Sequence, residues 1–447
     1  MKNSFSLSIV REGPRKGLGS MLRRSSLVSL MISALLISGF VFHQNASANG
    51  YHHDTAHWVS AWGFSQRVLA PDTVTVENAT VRMVARPTIS GSAVRVTLQN
   101  TFGEDPVEIG AAYVGLRATV ETAVLVPESN HQLTFAGAED VMIPAGGAVT
   151  SDPVSLKVRA QEDVAVSLYL PGTPPISQHT NARVTSFLTA NGAGNLAAQE
   201  TADNFTETTT DMYWVAAIDV LAGPKDSAIV CLGDSITDGT GSTTDGYDRW
   251  HDFLALRLYM DSKDQRSTVN EGIGGNRINP DDTSTSPPAL ERLDRDVLSR
   301  AGVSHVIFFE GTNDLAHDRT ADEVIAGSQE IIERVHAAGL KILGVTIIPR
   351  HSSTWTSEMT QYRHVVNHWI RHKARFDAVI DFDKVVRDPN NPDLINPIYD
   401  RGDHIHPNPF GYLIMGQSID LELFKEYTSF KSYRSYDEYR YGKGMHR

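Results

Sequence analysis

Cysteine is nearly absent: the chain has one, Cys231, in 447 residues. No disulfide can form within it, so its stability must come from core packing. Cys231 falls in a predicted buried strand and reads as a small core residue, not a reactive thiol. Basic charge is also scarce, with 40 Lys and Arg against 53 Asp and Glu and a formal net charge of −13. That balance argues against nucleic acid or an anionic membrane as a partner, because both are bound by neutralising phosphate charge. Long apolar runs are missing outside Leu27–Phe42, which is short for a spanning helix of about 20 residues. No phosphate loop or dinucleotide fingerprint follows any predicted strand, and no H-E-x-x-H helix accompanies the His52-His53 and His57 cluster. No metal and no cofactor are expected. Ser235 lies outside any G-x-S-x-G, so the nucleophile elbow of the α/β-hydrolases is missing at that position.

What is present divides the chain into four parts. Residues 1–48 have the pattern of an export signal. Lys2, Arg11, Arg15, Lys16, Arg23 and Arg24 form a basic start, Leu27–Phe42 an apolar centre, and Ala46-Ser47-Ala48 a cleavage site. Removal of that segment, with six basic residues and one acid, would take the net charge from −13 to −18. The expectation is a secreted protein, extracellular or periplasmic, with no stable membrane anchor. Residues 57–223 read as β structure. Val94, Val96 and Leu98 alternate with polar neighbours, and similar runs follow at Leu156–Arg159, Val164–Leu170, Arg183–Thr189 and Tyr213–Leu221. Gly and Pro turns separate these runs, which predicts an antiparallel β-sandwich. Trp58, Trp62 and Trp214 in this region are either core residues or platforms for a sugar ring.

The pattern changes at Ala222-Gly223-Pro224-Lys225. From 226 to 425, strands near 228–232, 267–271, 305–309, 341–347 and 378–381 alternate with helices near 249–260, 288–300, 321–338, 356–374 and 409–425. This predicts an α/β domain with a parallel sheet covered on both faces, its ligand crevice beyond the carboxyl ends of the strands. The tail 426–447 carries five tyrosines among charges and reads as a peripheral strap or a frayed terminus.

Four blocks in the α/β part carry the chemistry. Gly233-Asp234-Ser235 follows an apolar strand and presents a hydroxyl in a loop. Gly274-Gly275 lies in Asn270-Glu271-Gly272-Ile273-Gly274-Gly275-Asn276, Gly311-Thr312-Asn313-Asp314 follows a strand, and Asp403 precedes His406 by three residues. A serine hydroxyl needs a base to take its proton and donors to hold the oxyanion it generates. A histidine, an asparagine and flexible glycine amides are suitable groups for those tasks.

In sequence and in order, these blocks resemble those of the SGNH hydrolases, the GDSL esterase/lipase family, over roughly 226 to 425. The N-E-G-I-G-G-N-R form resembles a subgroup of xylan acetylesterase-like enzymes with an extra N-terminal domain. The resemblance implies a flavodoxin-like three-layer domain preceded by the β-sandwich. It implies Ser235 as nucleophile, His406 as general base and Asp403 as the carboxylate that orients it. The oxyanion hole would comprise the Ser235 and Gly275 amides and the Asn313 side chain, with Gly274 the alternative to Gly275. His404 competes with His406 but fits the D-x-x-H spacing less well. Asp234 would organise the loop, and Glu310 and Asp314 would be structural.

The implied activity is hydrolysis of O-acyl esters, in particular acetyl esters of carbohydrate, with a small molecule or a polysaccharide as substrate. A broad carboxylesterase or lipase on short-chain or lipid esters is the alternative. A secreted carbohydrate-binding module with an inactive hydrolase fold is a third reading.

Overall fold

The computed structural model describes residues 55–67, 75–261, 265–280 and 286–425. The export segment, the His52-His53 pair and the Tyr-rich tail lie outside those residues. Described residues from 57 to 222 form strands and turns with no helix among them. A four-stranded antiparallel sheet contains β1 (His57–Gly63), β3 (Val94–Gln99), β8 (Ala148–Thr150) and β14 (Val215–Ala222) in the order β1-β14-β3-β8. A six-stranded one uses β2 (Ala79–Ala85), β5 (Ala111–Leu116), β6 (His131–Leu133), β9 (Val164–Leu170), β11 (Ser186–Leu188) and β12 (Glu207–Thr209) in the order β12-β11-β2-β9-β5-β6. Two ribbons complete this half: β4 (Val107–Ile109) with β7 (Val141–Ile143), and β10 (Gln178–His179) with β13 (Met212–Tyr213).

Val94, Val96 and Leu98 are buried while Arg95 and Thr97 are partly exposed, so β3 follows the period of two in its sequence. Two expected strands differ. The run 156–159 makes only an isolated bridge, Gly91 to Val158, because the Leu156 N–H turns back onto the Val154 carbonyl at 2.9 Å. The run 213–221 is broken at Trp214, whose φ of +53° takes the chain out of the extended region. Trp62 and Trp214 lie in the core, so neither is a platform for sugar. Trp58 is half-buried, with the Arg95 guanidinium 4.8 Å from its ring centre.

Beyond residue 226, β15 (Ser227–Gly233), β16 (Arg266–Gly272), β17 (Val303–Phe309), β18 (Lys341–Val345) and β19 (Ala378–Ile380) form a parallel sheet in the order β16-β15-β17-β18-β19. This is the flavodoxin-like order, in which the chain leaves the first strand toward one edge and then crosses to the other. The crevice at such a switch point lies between β15 and β17.

Alternation along β15 explains the layers. Ile229 and Cys231 face α2 (Trp250–Asp261), α7 (Phe382–Val386) and α8 (Pro409–Ser418) in one apolar cluster. Ala228, Val230 and Leu232 face the other side, toward α5 (Ala321–Ala337) and α6 (Ser357–His372), in a cluster that continues into the antiparallel sheets. Each fully buried Val, Leu or Ile contributes about 1.5–3 kcal/mol, and a chain without disulfides depends on that sum. Burial also pushes the Cys231 thiol pKa well up, keeping it protonated.

The expected final helix to 425 ends early. Ile419 is extended, and the Asp420 side chain caps a separate 3-10 turn at Leu421–Phe424. The expected helix at 288–300 is a short α3 (Ala289–Leu293) running into a π turn at Asp294–Leu298.

Candidate active site

Ser235 opens α1 (Ser235–Asp238), a single turn directly after β15. Asp234 caps that turn by accepting the Ile236 N–H at 2.9 Å, a common use of Asp at a helix start. The Ser235 hydroxyl donates to Nε2 of His406 at 2.8 Å. Nδ1–H of His406 donates in turn to Oδ2 of Asp403 at 2.7 Å. The other Asp403 oxygen accepts the backbone N–H of Ile405 at 3.0 Å and of His406 at 2.9 Å. One carboxylate therefore shapes the loop and sets the imidazole tautomer together. His404, with φ of +60°, turns outward and pairs with Asp400 at 2.5 Å. It takes no part in this relay.

Burial lowers the His406 pKa below that of a free histidine, an effect the Asp403 hydrogen bond opposes. The ring is thus held neutral near pH 7, as a proton acceptor requires. Burial would raise the Asp403 pKa, but the N–H groups and ring of His406 outweigh it and keep the carboxylate ionised.

The opposite wall comes from two loops. The Gly274 N–H is taken by Oδ2 of Asp238 at 3.1 Å. Gly275 has φ of +75° and open space where a Cβ would stand, a conformation glycine adopts without strain. Among the described residues, neither the Gly275 N–H nor the Ser235 N–H has a partner. Asn313 lies in α4 (Thr312–Ala316), after β17. Its Nδ2 donates to the Asn276 carbonyl at 3.0 Å, and its Oδ1 accepts from Nη1 of Arg350 at 3.0 Å. Those two bonds define which way the amide faces.

Asp314 joins the two loops, accepting from the Ile278 N–H at 2.9 Å and the Asn279 N–H at 3.1 Å. Asp234, Glu310 and Asp314 form a buried acidic group beneath the site. Burial raises the pKa of each; for Glu310, proximity to Asp234 raises it further.

Four supporting residues had no local signal in the sequence. Arg292 is fully enclosed and donates to the Gly233 carbonyl at 3.0 Å, the Glu271 carbonyl at 2.7 Å, the Asn276 side chain at 2.8 Å and Ser65 Oγ at 2.9 Å. It ties the ends of β15 and β16 to the glycine loop. Arg350 orients Asn313, and Asp238 and His179 hold the glycine loop from behind. Asp238 was visible three residues after Ser235, but only the fold gives it a partner.

A cavity of about 680 Å³ is lined by Arg350, which orients Asn313, and by Gly402 and His404, which flank Asp403 in the chain; Ser235, His406 and Asn313 do not line it. Arg350, His351 and His404 contribute polar edges, and Trp355, Leu394 and Ile395 apolar surface. Among the described residues, no three His, Cys, Asp or Glu side chains converge on a possible metal position, and no helix is long and apolar enough to cross a membrane.

Residues 231–414 match the model of the GDSL-like Lipase/Acylhydrolase family. Among solved structures, a carbohydrate acetylesterase from Sinorhizobium meliloti is similar at 19% identity, covering 43% of this chain and 95% of that one, with a TM-score of 0.35. The aryl esterase of M. smegmatis is similar at 18% identity, covering 43% and 95%, with a TM-score of 0.35. A GDSL-like lipase from Bacteroides thetaiotaomicron is similar at 22% identity, covering 44% and 88%, also with a TM-score of 0.35. No curated protein matches the chain.

Proposed function

We propose that this protein, an ester hydrolase of the GDSL type, is a secreted serine esterase that removes acyl groups, in particular acetyl, from carbohydrate. The observation that carries the reading is the unbroken relay from Ser235 through His406 to Asp403, at 2.8 and 2.7 Å. Ser235 Oγ attacks the ester carbonyl while His406 Nε2 takes its proton. The carbonyl oxygen, now negative, is held by the Ser235 and Gly275 amides and the Asn313 side chain. Collapse expels the alcohol, which takes the proton back from His406, and leaves acyl-Ser235. Water then attacks under the same base and releases the acid.

A carbohydrate alcohol is supported by the cavity that Arg350 and His404 line. Its mix of apolar surface and hydrogen-bonding edges suits a sugar ring, which has apolar faces and hydroxyl rims. The basic start, apolar centre and Ala46-Ser47-Ala48 of residues 1–48 support export. The four- and six-stranded antiparallel sheets are read as a sandwich that braces the catalytic part. The likeness of the N-E-G-I-G-G-N-R block to xylan acetylesterase-like enzymes also supports the acetyl reading.

Acetate release from acetylated xylan, measured beside p-nitrophenyl esters of rising chain length, tests the substrate class. The expected result is acetate release by the wild type and none by Ser235→Ala. Hydrolysis confined to the synthetic esters would shift the substrate to short-chain or lipid esters. No hydrolysis of any ester would favour a binding module.

A further inference from the structure

The N-terminal half sends an ionisable side chain to the back of the site. His179, on β10, is fully buried and stacks on Phe64 at 4.4 Å between ring centres. Its Nδ1 lies 2.7 Å from the Ser65 carbonyl, and its Nε2 lies 3.1 Å from Oδ1 of Asp238. A carbonyl can only accept, so Nδ1 carries a ring proton toward Ser65 and Nε2 is the nitrogen that shares a hydrogen bond with Asp238.

Asp238 ends α1, three residues after Ser235. Its second oxygen takes the Gly274 N–H at 3.1 Å. Gly272 packs against the same residue so closely that a Cβ there would stand 2.2 Å from the Asp238 nitrogen. A second tie runs in parallel, since Arg249 donates to the Asp238 carbonyl at 2.8 Å and to the Ala182 carbonyl in the N-terminal half. Asp238 is therefore held from the β side and holds the glycine loop on the other.

We propose that His179 and Asp238 are positioning residues through which the N-terminal half fixes the aim of the Gly275 amide. The proposal rests on the reading of Gly275 as an oxyanion donor. Two adjacent glycines have wide backbone freedom, and a donor contributes to catalysis only when it already points at the developing charge. The Gly274 bond to Asp238 removes that freedom one residue before the amide in question. The extra β region is in this account a structural part of the catalytic site as well as a neighbour to it.

The test compares Asp238→Ala, Asp238→Asn and His179→Phe with wild type and Ser235→Ala on p-nitrophenyl acetate. Asp238→Ala is expected to lower kcat about 10- to 100-fold, somewhat less than loss of a whole oxyanion donor, while KM changes less than about 3-fold because ground-state binding is untouched. Asp238→Asn is expected to restore most of the rate. Its carboxamide oxygen can accept from Gly274 while its N–H₂ donates to a neutral Nε2.

A folded Asp238→Ala with kcat within about 3-fold of wild type overturns the proposal, and so does Asp238→Asn as slow as Asp238→Ala. His179→Phe keeps the stack on Phe64 and carries the same comparison if Asp238→Ala does not fold. Ser235→Ala separates the two readings. An inactive Ser235→Ala beside a fast Asp238→Ala overturns the clamp alone, whereas an active Ser235→Ala overturns the nucleophile and the clamp with it.

Discussion

The two walls of the site are built in opposite ways. The base side is one loop: Asp403 bonds His406 at its ring and at its backbone N–H, and the Arg401 N–H returns to the His406 carbonyl at 3.1 Å. Asp403 and His406 are only partly buried. The oxyanion side is assembled from distant segments. Ser65 and His179 come from the β half, Asp238 from α1, Arg292 from α3 and Arg350 from the stretch after β18, and most of them are enclosed. The base needs a side chain in the right tautomer, which a short turn supplies. Oxyanion donors are mostly backbone amides, and those can be aimed only by fixing whole loops from outside.

This contrast predicts how each wall fails. His406→Ala should give the largest loss, at least about 10⁴-fold in kcat for a member of a serine triad. Its melting temperature should change little, because the residue is held by its own loop. Steady-state kinetics and a thermal melt on the same sample check both halves of that statement. Asn313→Ala should cost about 10²- to 10³-fold in kcat, the usual effect of one oxyanion donor.

Arg292→Met should act through stability. Removing the guanidinium takes a donor from the carbonyls of Gly233 and Glu271 and the nearest cation from Glu310, while Asp296 keeps only Arg295. A loss of about 3–5 kcal/mol follows from breaking a buried ionic network, read from urea unfolding. A variant that keeps its stability but loses kcat would move Arg292 from scaffold to chemistry.

The smallest effect is a shift in pH dependence. In the proposed mechanism the neutral His406 ring is the active form, and burial lowers its pKa. Activity should therefore hold as pH falls to about 6.5, the ordinary histidine value, and be lost below it. Asp403 raises that pKa, so Asp403→Asn should move the acid limb of kcat/KM to still lower pH while reducing the rate. A limb that moves upward would contradict the assignment of the pair.

The same contrast explains what could be read without a structure. Ser235, Asn313, Asp403 and His406 belong to short motifs whose spacing mirrors local geometry. The Asp403 and His406 side chains, three residues apart, meet at 2.7 Å in a single turn. The alternation of strands with helices from 226 to 425 also foretold a parallel sheet covered on both faces. By contrast, nothing near His179 or Arg350 in the sequence distinguishes them from other buried polar residues. Their partners lie 59 and 37 residues away, at Asp238 and Asn313. The positive φ of Trp214 was equally hidden, since its neighbours alternate as an unbroken strand would.

The central claim is that Ser235 is a nucleophile made reactive by His406. It is tested most directly by treating wild type, Ser235→Ala and His406→Ala with a serine-reactive fluorophosphonate and measuring intact mass and peptide maps. The account predicts a single adduct on Ser235 in wild type, greatly slowed in His406→Ala and absent in Ser235→Ala. Equal labelling of Ser235→Ala at another residue, or ester hydrolysis by a wild type that takes no label, would contradict it.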